Sequence, residues 1–173
     1  VIDTILENAK TIIAALIIAI IIRSFIVQPF YIPSSSMEPT LLIGDRIFVS
    51  KYTYGFSKHS FPFSPSLFSE RIFYKKPQQG DPVVFKTPAD NRTDYIKRLI
   101  GLPGDEIQFV EGDIFINNKR IIRNKIETNN LVRCGKKSFE VNLYEEILPN
   151  GKKYIAAYNK AGTLQNTKKF KVP

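Results

Sequence analysis

From Ile12 to Ile22 the chain runs without a polar side chain, between Lys10 and Arg23, and no other stretch limits its folding so much. A helix rises about 1.5 Å per residue, so this run covers about half of a hydrocarbon core that takes roughly 20 residues to cross. Leu6, Ile5 and Ile2 extend it backwards to sufficient length. The cost is Asp3 and Glu7 near one interface, and Lys10, whose stem can reach towards headgroups. A cleaved signal peptide, a buried core helix and an interfacial helix compete with a membrane anchor. A signal peptide fits poorly, because Asp3 and Glu7 outnumber Lys10 and Arg23-Ser24-Phe25 stands where a small-residue cleavage site belongs. A core helix would show a polar face, and Ile12 to Ile22 is apolar all round. The residues favour an uncleaved transmembrane anchor over 1–27, and the opening Val1 gives the expectation that further residues precede it.

With 173 residues there is room for one domain with its own core plus that appendage, here 28–173. The net charge of +9 comes from scattered lysines, often paired, as in Lys75-Lys76, Lys136-Lys137 and Lys168-Lys169. A solvated basic surface accounts for them. An anionic membrane is the next partner to consider, at about 1 kcal/mol per cation close to the surface. Nucleic acid is not expected, because zinc-finger spacing, RNA-binding aromatic motifs and a basic zipper helix are all missing. The single cysteine, Cys134, rules out an internal disulfide and a thiolate metal cluster. Arg133, Gly135, Lys136 and Lys137 around it read as an exposed turn rather than a catalytic setting.

After Pro29 the pattern changes to short alternating runs broken by turn residues, which predicts an antiparallel, mainly β domain. Arg46 to Val49 follows Gly44-Asp45, and Pro82 to Lys86 follows Gly80-Asp81. Glu106 to Val110 and Asp113 to Ile116 form a hairpin about Glu111-Gly112, and Asn117-Asn118 turns again into Lys119 to Ile122. A later hairpin pairs Ser138 to Ile147 with Lys152 to Tyr158 across Pro149-Asn150-Gly151. The 56–78 stretch is a Ser/Pro/Phe-rich insertion, with Phe61, Phe63, Phe68 and Phe73 irregularly spaced. It is expected to pack on the sheet, with dipping into a membrane surface as the alternative.

Ser34-Ser35-Ser36-Met37-Glu38-Pro39-Thr40 lies between two prolines, which restrict the backbone and make a rigid loop. A serine hydroxyl is a poor nucleophile without a base. His59, the only histidine, lies in a polar loop and reads as an exposed structural residue, so a Ser-His-Asp triad is weakly supported. In Asp94 to Ile100, alternation puts Tyr95, Lys97 and Leu99 on one face, which gives Lys97 apolar company, although a lysine snorkelling off a strand edge is the commoner case. An amine starts with a pKa near 10.4 and becomes a usable base at about 7 to 8, a shift of about 4 kcal/mol that burial can supply.

Phe30 to Asp45, read as Phe-Tyr-Ile-Pro-Ser-Ser-Ser-Met-Glu-Pro-Thr-Leu-Leu-Ile-Gly-Asp, resembles the nucleophile box of bacterial type I signal peptidases. Gly80 to Lys86 resembles the next box of that family, and Asp94 to Asp105 the box holding its general-base lysine. The resemblance spans residues 23 to 105, and the three ordered motifs are specific together. It implies a partly open antiparallel barrel of signal-peptidase type behind a transmembrane helix. It also implies Ser36 as nucleophile, Lys97 as general base, and the Ser34 hydroxyl with the Ser36 N–H as oxyanion hole. Phe30, Ile32, Met37, Leu41, Val84, Tyr95 and Ile96 would line shallow pockets for the small residues of Ala-x-Ala sites. Neither metal nor cofactor is implied. The implied partners are signal peptides of exported preproteins and the phospholipid of the bacterial cytoplasmic membrane, with the β-domain on its outer face.

Two departures stand against the family pattern. Ser35 replaces a common glycine, and the chain ends at Phe170-Lys171-Val172-Pro173 without a Gly-Asp-Asn-Arg box. The expectation is a fragment that continues beyond Pro173. A self-cleaving repressor protease of similar Ser-Lys design is one rival, disfavoured by the anchor. A non-catalytic, membrane-anchored β-domain that binds peptides is the other.

Overall fold

A computed structural model of the chain describes residues 2–61, 70–134, 137–159 and 166–173. Phe63 and Phe68 of the insertion, and Gly135 and Lys136 beside Cys134, lie outside the described residues. The chain divides into two compact units, Val1–Phe30 with Arg46–Pro77, and Tyr31–Asp45 with Gln78–Pro173.

The first unit is built on α1, Ile2–Ile21, whose Ile, Leu and Ala content carries no Gly or Pro to interrupt a helix. Every residue of α1 is exposed, apolar side chains included. One π-helical turn, Ile22–Ile26, extends it to a 25-residue helical segment long and apolar enough to cross a membrane. Strand β1, Val27–Tyr31, follows and pairs with β2, Arg46–Ser50. Chain 51–61 returns to the helix end. The Lys51 N–H donates to the Ile26 carbonyl at 3.0 Å, and Phe25 meets Phe56 and Phe61 edge-on at 5.6 and 5.2 Å.

The second unit is antiparallel sheet. Strand β3, Pro82–Lys86, pairs with β4, Asp94–Arg98. Strands β5, Glu106–Val110, β6, Asp113–Ile116, and β7, Lys119–Arg120, form a meander, and β11, Phe170–Lys171, adds to its β5 edge. Strands β8, Ile122–Cys134, β9, Lys137–Ile147, and β10, Lys153–Asn159, form a third sheet. Ile107, Ile114, Ile116, Ile121 and Leu148 make the core, with Ile100, Phe109, Tyr154 and Val172 packed against it. Among the described residues the architecture is mainly β, without a closed barrel.

The hairpins formed where turn residues predicted them. Glu111 and Gly112 both take positive φ, as do Asn117 and Asn118, which matches the primed turns that suit twisted hairpins. The expected strand from Lys119 to Ile122 is instead split at Ile121, and β8 continues far beyond it. Its faces run against the polarity pattern, because Ile122 is 60% exposed while the Arg123 side chain faces inward.

Arg123 is there to meet Glu146, which is 0% exposed. Its Nε donates to Glu146 Oε1 at 3.0 Å, one Nη pairs with Asp113 at 2.9 Å, and the other donates to the Gly112 carbonyl and Tyr158 hydroxyl. The Tyr158 hydroxyl in turn donates to Glu146 at 2.5 Å. Burial, and then the neighbouring carboxylate, hold the hydroxyls of Tyr154 and Tyr158 well above their ordinary pKa. One guanidinium thus ties the β5–β6 turn to the third sheet. Arg123→Met is expected to destabilise the fold by about 3–5 kcal/mol in a urea titration, since it strands a buried carboxylate. Adding Glu146→Leu should recover most of that loss.

Candidate active site

Residues 32–45 form a closed loop. At its neck the Ile32 N–H donates to the Asp45 carbonyl and the Gly44 N–H to the Ile32 carbonyl, both at 2.9 Å, while the Ile32 side chain is 2% exposed. Inside the loop, Ser35–Met37 makes one 3-10 turn pinned by the buried Met37, and the Glu38–Pro39 peptide is cis. These anchors leave Ser34 and Ser36 facing outward. Their hydroxyls are 3.4 Å apart.

The loop is also tied to β4. Arg98 donates to Thr40 Oγ1 at 3.1 Å and to the Gly80 carbonyl at 2.8 Å, and its guanidinium lies 4.9 Å from the Tyr154 ring centre. Burial lowers its pKa from the ordinary value, yet an arginine keeps its charge. Strand alternation then sends Lys97 to the opposite face, where its Nζ donates to Ser36 Oγ. The same Nζ lies 5.6 Å from the Tyr95 ring centre.

Three Gly-Asp turns hold these parts. In each, the glycine has φ between 90° and 101°, and the aspartate carboxylate accepts the N–H three residues before it. Asp45, Asp81 and Asp105 do this for Leu42, Gln78 and Leu102 at 2.8, 2.9 and 2.8 Å. Each turn launches a strand, respectively β2, β3 and β5.

A family model described as signal peptidase, peptidase S26, matches residues 5–170. The chain belongs to that family. Among relatives, signal peptidase I of Rickettsia canadensis is 46% identical over 142 residues, and that of Rickettsia typhi 44% over 142. That of Rickettsia prowazekii is 43% identical over 141 residues. Each alignment covers 80% of this chain and 52% of the relative, so the chain spans about half the length of the curated relatives it matches.

On the signal peptidase pattern the structure brings Ser34, Ser36 and Lys97 together within the second unit. Val84 and Ile96 stand directly opposite each other across β3 and β4, both half-buried. Leu41 is half-buried, Tyr95 exposed, and Ile32 and Met37 buried. Phe30 and His59 belong to the first unit. Lys97 itself is exposed, so the expected shielding by apolar neighbours is not what surrounds it. The two-residue period put it on one face with Tyr95, and that face is open. Sequence reasoning missed Arg98 and Thr40. Their signal was the same alternation, which sets Arg98 inward whenever Lys97 points out.

The β3–β4 turn that sets this register rests on Asp90, which accepts the Arg92 and Thr93 N–H groups at 2.8 and 3.0 Å and the Thr93 hydroxyl at 2.5 Å. Those bonds, the hydroxyl's first, lower its pKa from 3.8 to about 2. Because the folded value is depressed, the turn's contribution is complete above pH 3.8 and disappears as pH falls through about 2. A carbon-13 NMR titration of Asp90 should show that low midpoint, and Thr93→Ala should raise it. A midpoint near 3.8 in the parent chain would refute the assignment.

Proposed function

We propose that this chain carries the working pair of a membrane-anchored signal peptidase, with Ser36 as nucleophile and Lys97 as its base. The hydrogen bond between Lys97 Nζ and Ser36 Oγ carries the reading. A neutral Lys97 takes the Ser36 proton as Oγ attacks the carbonyl carbon of the scissile peptide bond. The resulting oxyanion is met by the Ser36 N–H and the Ser34 hydroxyl, donors of a kind that contribute roughly 3–4 kcal/mol each. The proton then passes from Lys97 to the leaving amine, which departs as the new N-terminus. Lys97 next deprotonates a water that hydrolyses the Ser36 acyl ester, and the serine is restored.

A lysine can act so only when water is withdrawn from it. Lys97 stands exposed, so the groups that shield it must come from whatever covers this face, and a peptide bound against Ser36 is one such cover. In this reading Ile32, Met37, Leu41, Val84, Tyr95 and Ile96 shape the recognition of small side chains at Ala-x-Ala sites. The buried Ile32 and Met37 set the floor by fixing the loop. Helix α1 spans the cytoplasmic membrane, and the β-domain works on its outer face upon the signal peptides of exported preproteins.

In protein made from the full-length gene, Ser36→Ala and Lys97→Ala should each lower preprotein cleavage on the order of 10⁴-fold or more, as when members of a catalytic unit are removed. His59→Ala should cleave at the parent rate. Cleavage surviving Lys97→Ala would remove the lysine from the mechanism, and a parent protein that binds signal peptide without cutting it would leave a peptide-binding domain.

A further inference from the structure

Residues 55–56 and 71–76 of the first unit form a feature the peptidase chemistry does not use. Phe56 and Ile72 exchange two backbone hydrogen bonds of 2.9 Å, and Arg71 donates to the Gly55 carbonyl at 3.1 Å. Gly55 has φ +80°, and a Cβ there would stand 2.5 Å from the Ile72 carbonyl oxygen, so only glycine admits so close a clasp. The clasp displays Ile72, Phe73 and Tyr74. Phe73 is 81% exposed and holds φ 55°, a conformation that bulky residues rarely take. An apolar ring held in a strained backbone and turned out to solvent marks a contact surface.

Its position says what it contacts. Phe56, one side of the clasp, stacks edge-on against Phe25 in the last helical turn, and the Lys51 N–H caps Ile26. The clasp is therefore fixed at the end of a 25-residue helical segment. At 1.5 Å per residue that segment is about 37 Å long against a hydrocarbon core of about 30 Å, which puts its end at headgroup level. Aromatic rings favour that level, and lysines beside them favour anionic headgroups. Lys75 and Lys76, both exposed, follow Tyr74 directly.

We propose that Ile72 to Lys76 is an interfacial finger that seats Phe73 and Tyr74 in an anionic bilayer surface. This rests on the reading that α1 spans the membrane.

The chain has no tryptophan, so one substitution supplies a unique fluorophore. Leu16→Trp in α1, Phe73→Trp in the finger and Phe170→Trp in β11 are compared in the whole chain, in nanodiscs of phosphatidylcholine and phosphatidylglycerol with brominated acyl chains. Phe73→Trp should be blue-shifted and quenched at least about twofold more than Phe170→Trp, as interfacial rings are. Tyr74→Trp repeats the test should Phe73→Trp misfold. Lys75→Glu with Lys76→Glu should reduce that quenching, and so should omission of phosphatidylglycerol. Quenching no stronger than in Phe170→Trp, with Leu16→Trp quenched, overturns the finger and leaves the anchor standing. Protection that appears only on adding a signal peptide makes it a peptide site and overturns the proposal too. Should Leu16→Trp escape quenching, the anchor falls and the finger with it. The readout is the same in Ser36→Ala, so failure of the proposed chemistry leaves it intact.

Discussion

Arg98 is the constraint on which the proposed site depends. Its side chain reaches the Thr40 hydroxyl on the serine loop and the Gly80 carbonyl at the start of β3, over the face of Tyr154 from β10. Three separate stretches of chain are thereby held by one planar cation with directional donors, which a lysine could not replace. Because neighbouring residues on a strand face opposite ways, fixing Arg98 on the inner side fixes Lys97 on the outer side. The amine's reach to Ser36 is a result of where its neighbour is anchored.

The same economy appears in the third sheet, where Arg123 and Glu146 put charge into a place that apolar residues could fill. Such a pair adds little net stability over hydrophobic replacements, but its geometry allows few alternatives. The guanidinium's four contacts fall on β6, the turn before it, β9 and β10, so one side chain links the two sheets. The buried isoleucines supply the bulk driving force, roughly 1.5–3 kcal/mol for each side chain taken from water, without specifying an angle between sheets.

How much of this could be read in advance depended on the kind of residue. Turns were legible because Glu111-Gly112, Asn117-Asn118 and Pro149-Asn150-Gly151 state their backbone requirements locally. The apolar helix was legible because nothing polar interrupts Ile12 to Ile22. Strand β8 was not, since an outward Ile122, an inward Arg123 and a stretch from Asn124 to Asn130 that is polar except for Ile126 conceal its period, and what makes it a strand is its partner β9. Alternation gave the facing of Lys97 but said nothing of what covers it. That Ser36 and Lys97 meet came from family resemblance, because a separation of 61 positions carries no distance.

The serine loop occupies the interval between β1 and β2, two paired strands of the unit that carries the helix. Chain connectivity thus joins the loop of the proposed nucleophile at both ends to that strand pair. A strand that slips by a single residue turns all of its side chains over. An insertion or deletion in Val27–Tyr31 or Arg46–Ser50 would thus alter the strand pairing between which the serine loop is strung, while leaving Ser36 and Lys97 unchanged in the sequence. A loss of the proposed activity from that source would be invisible to any inventory of Ser36 and Lys97 themselves.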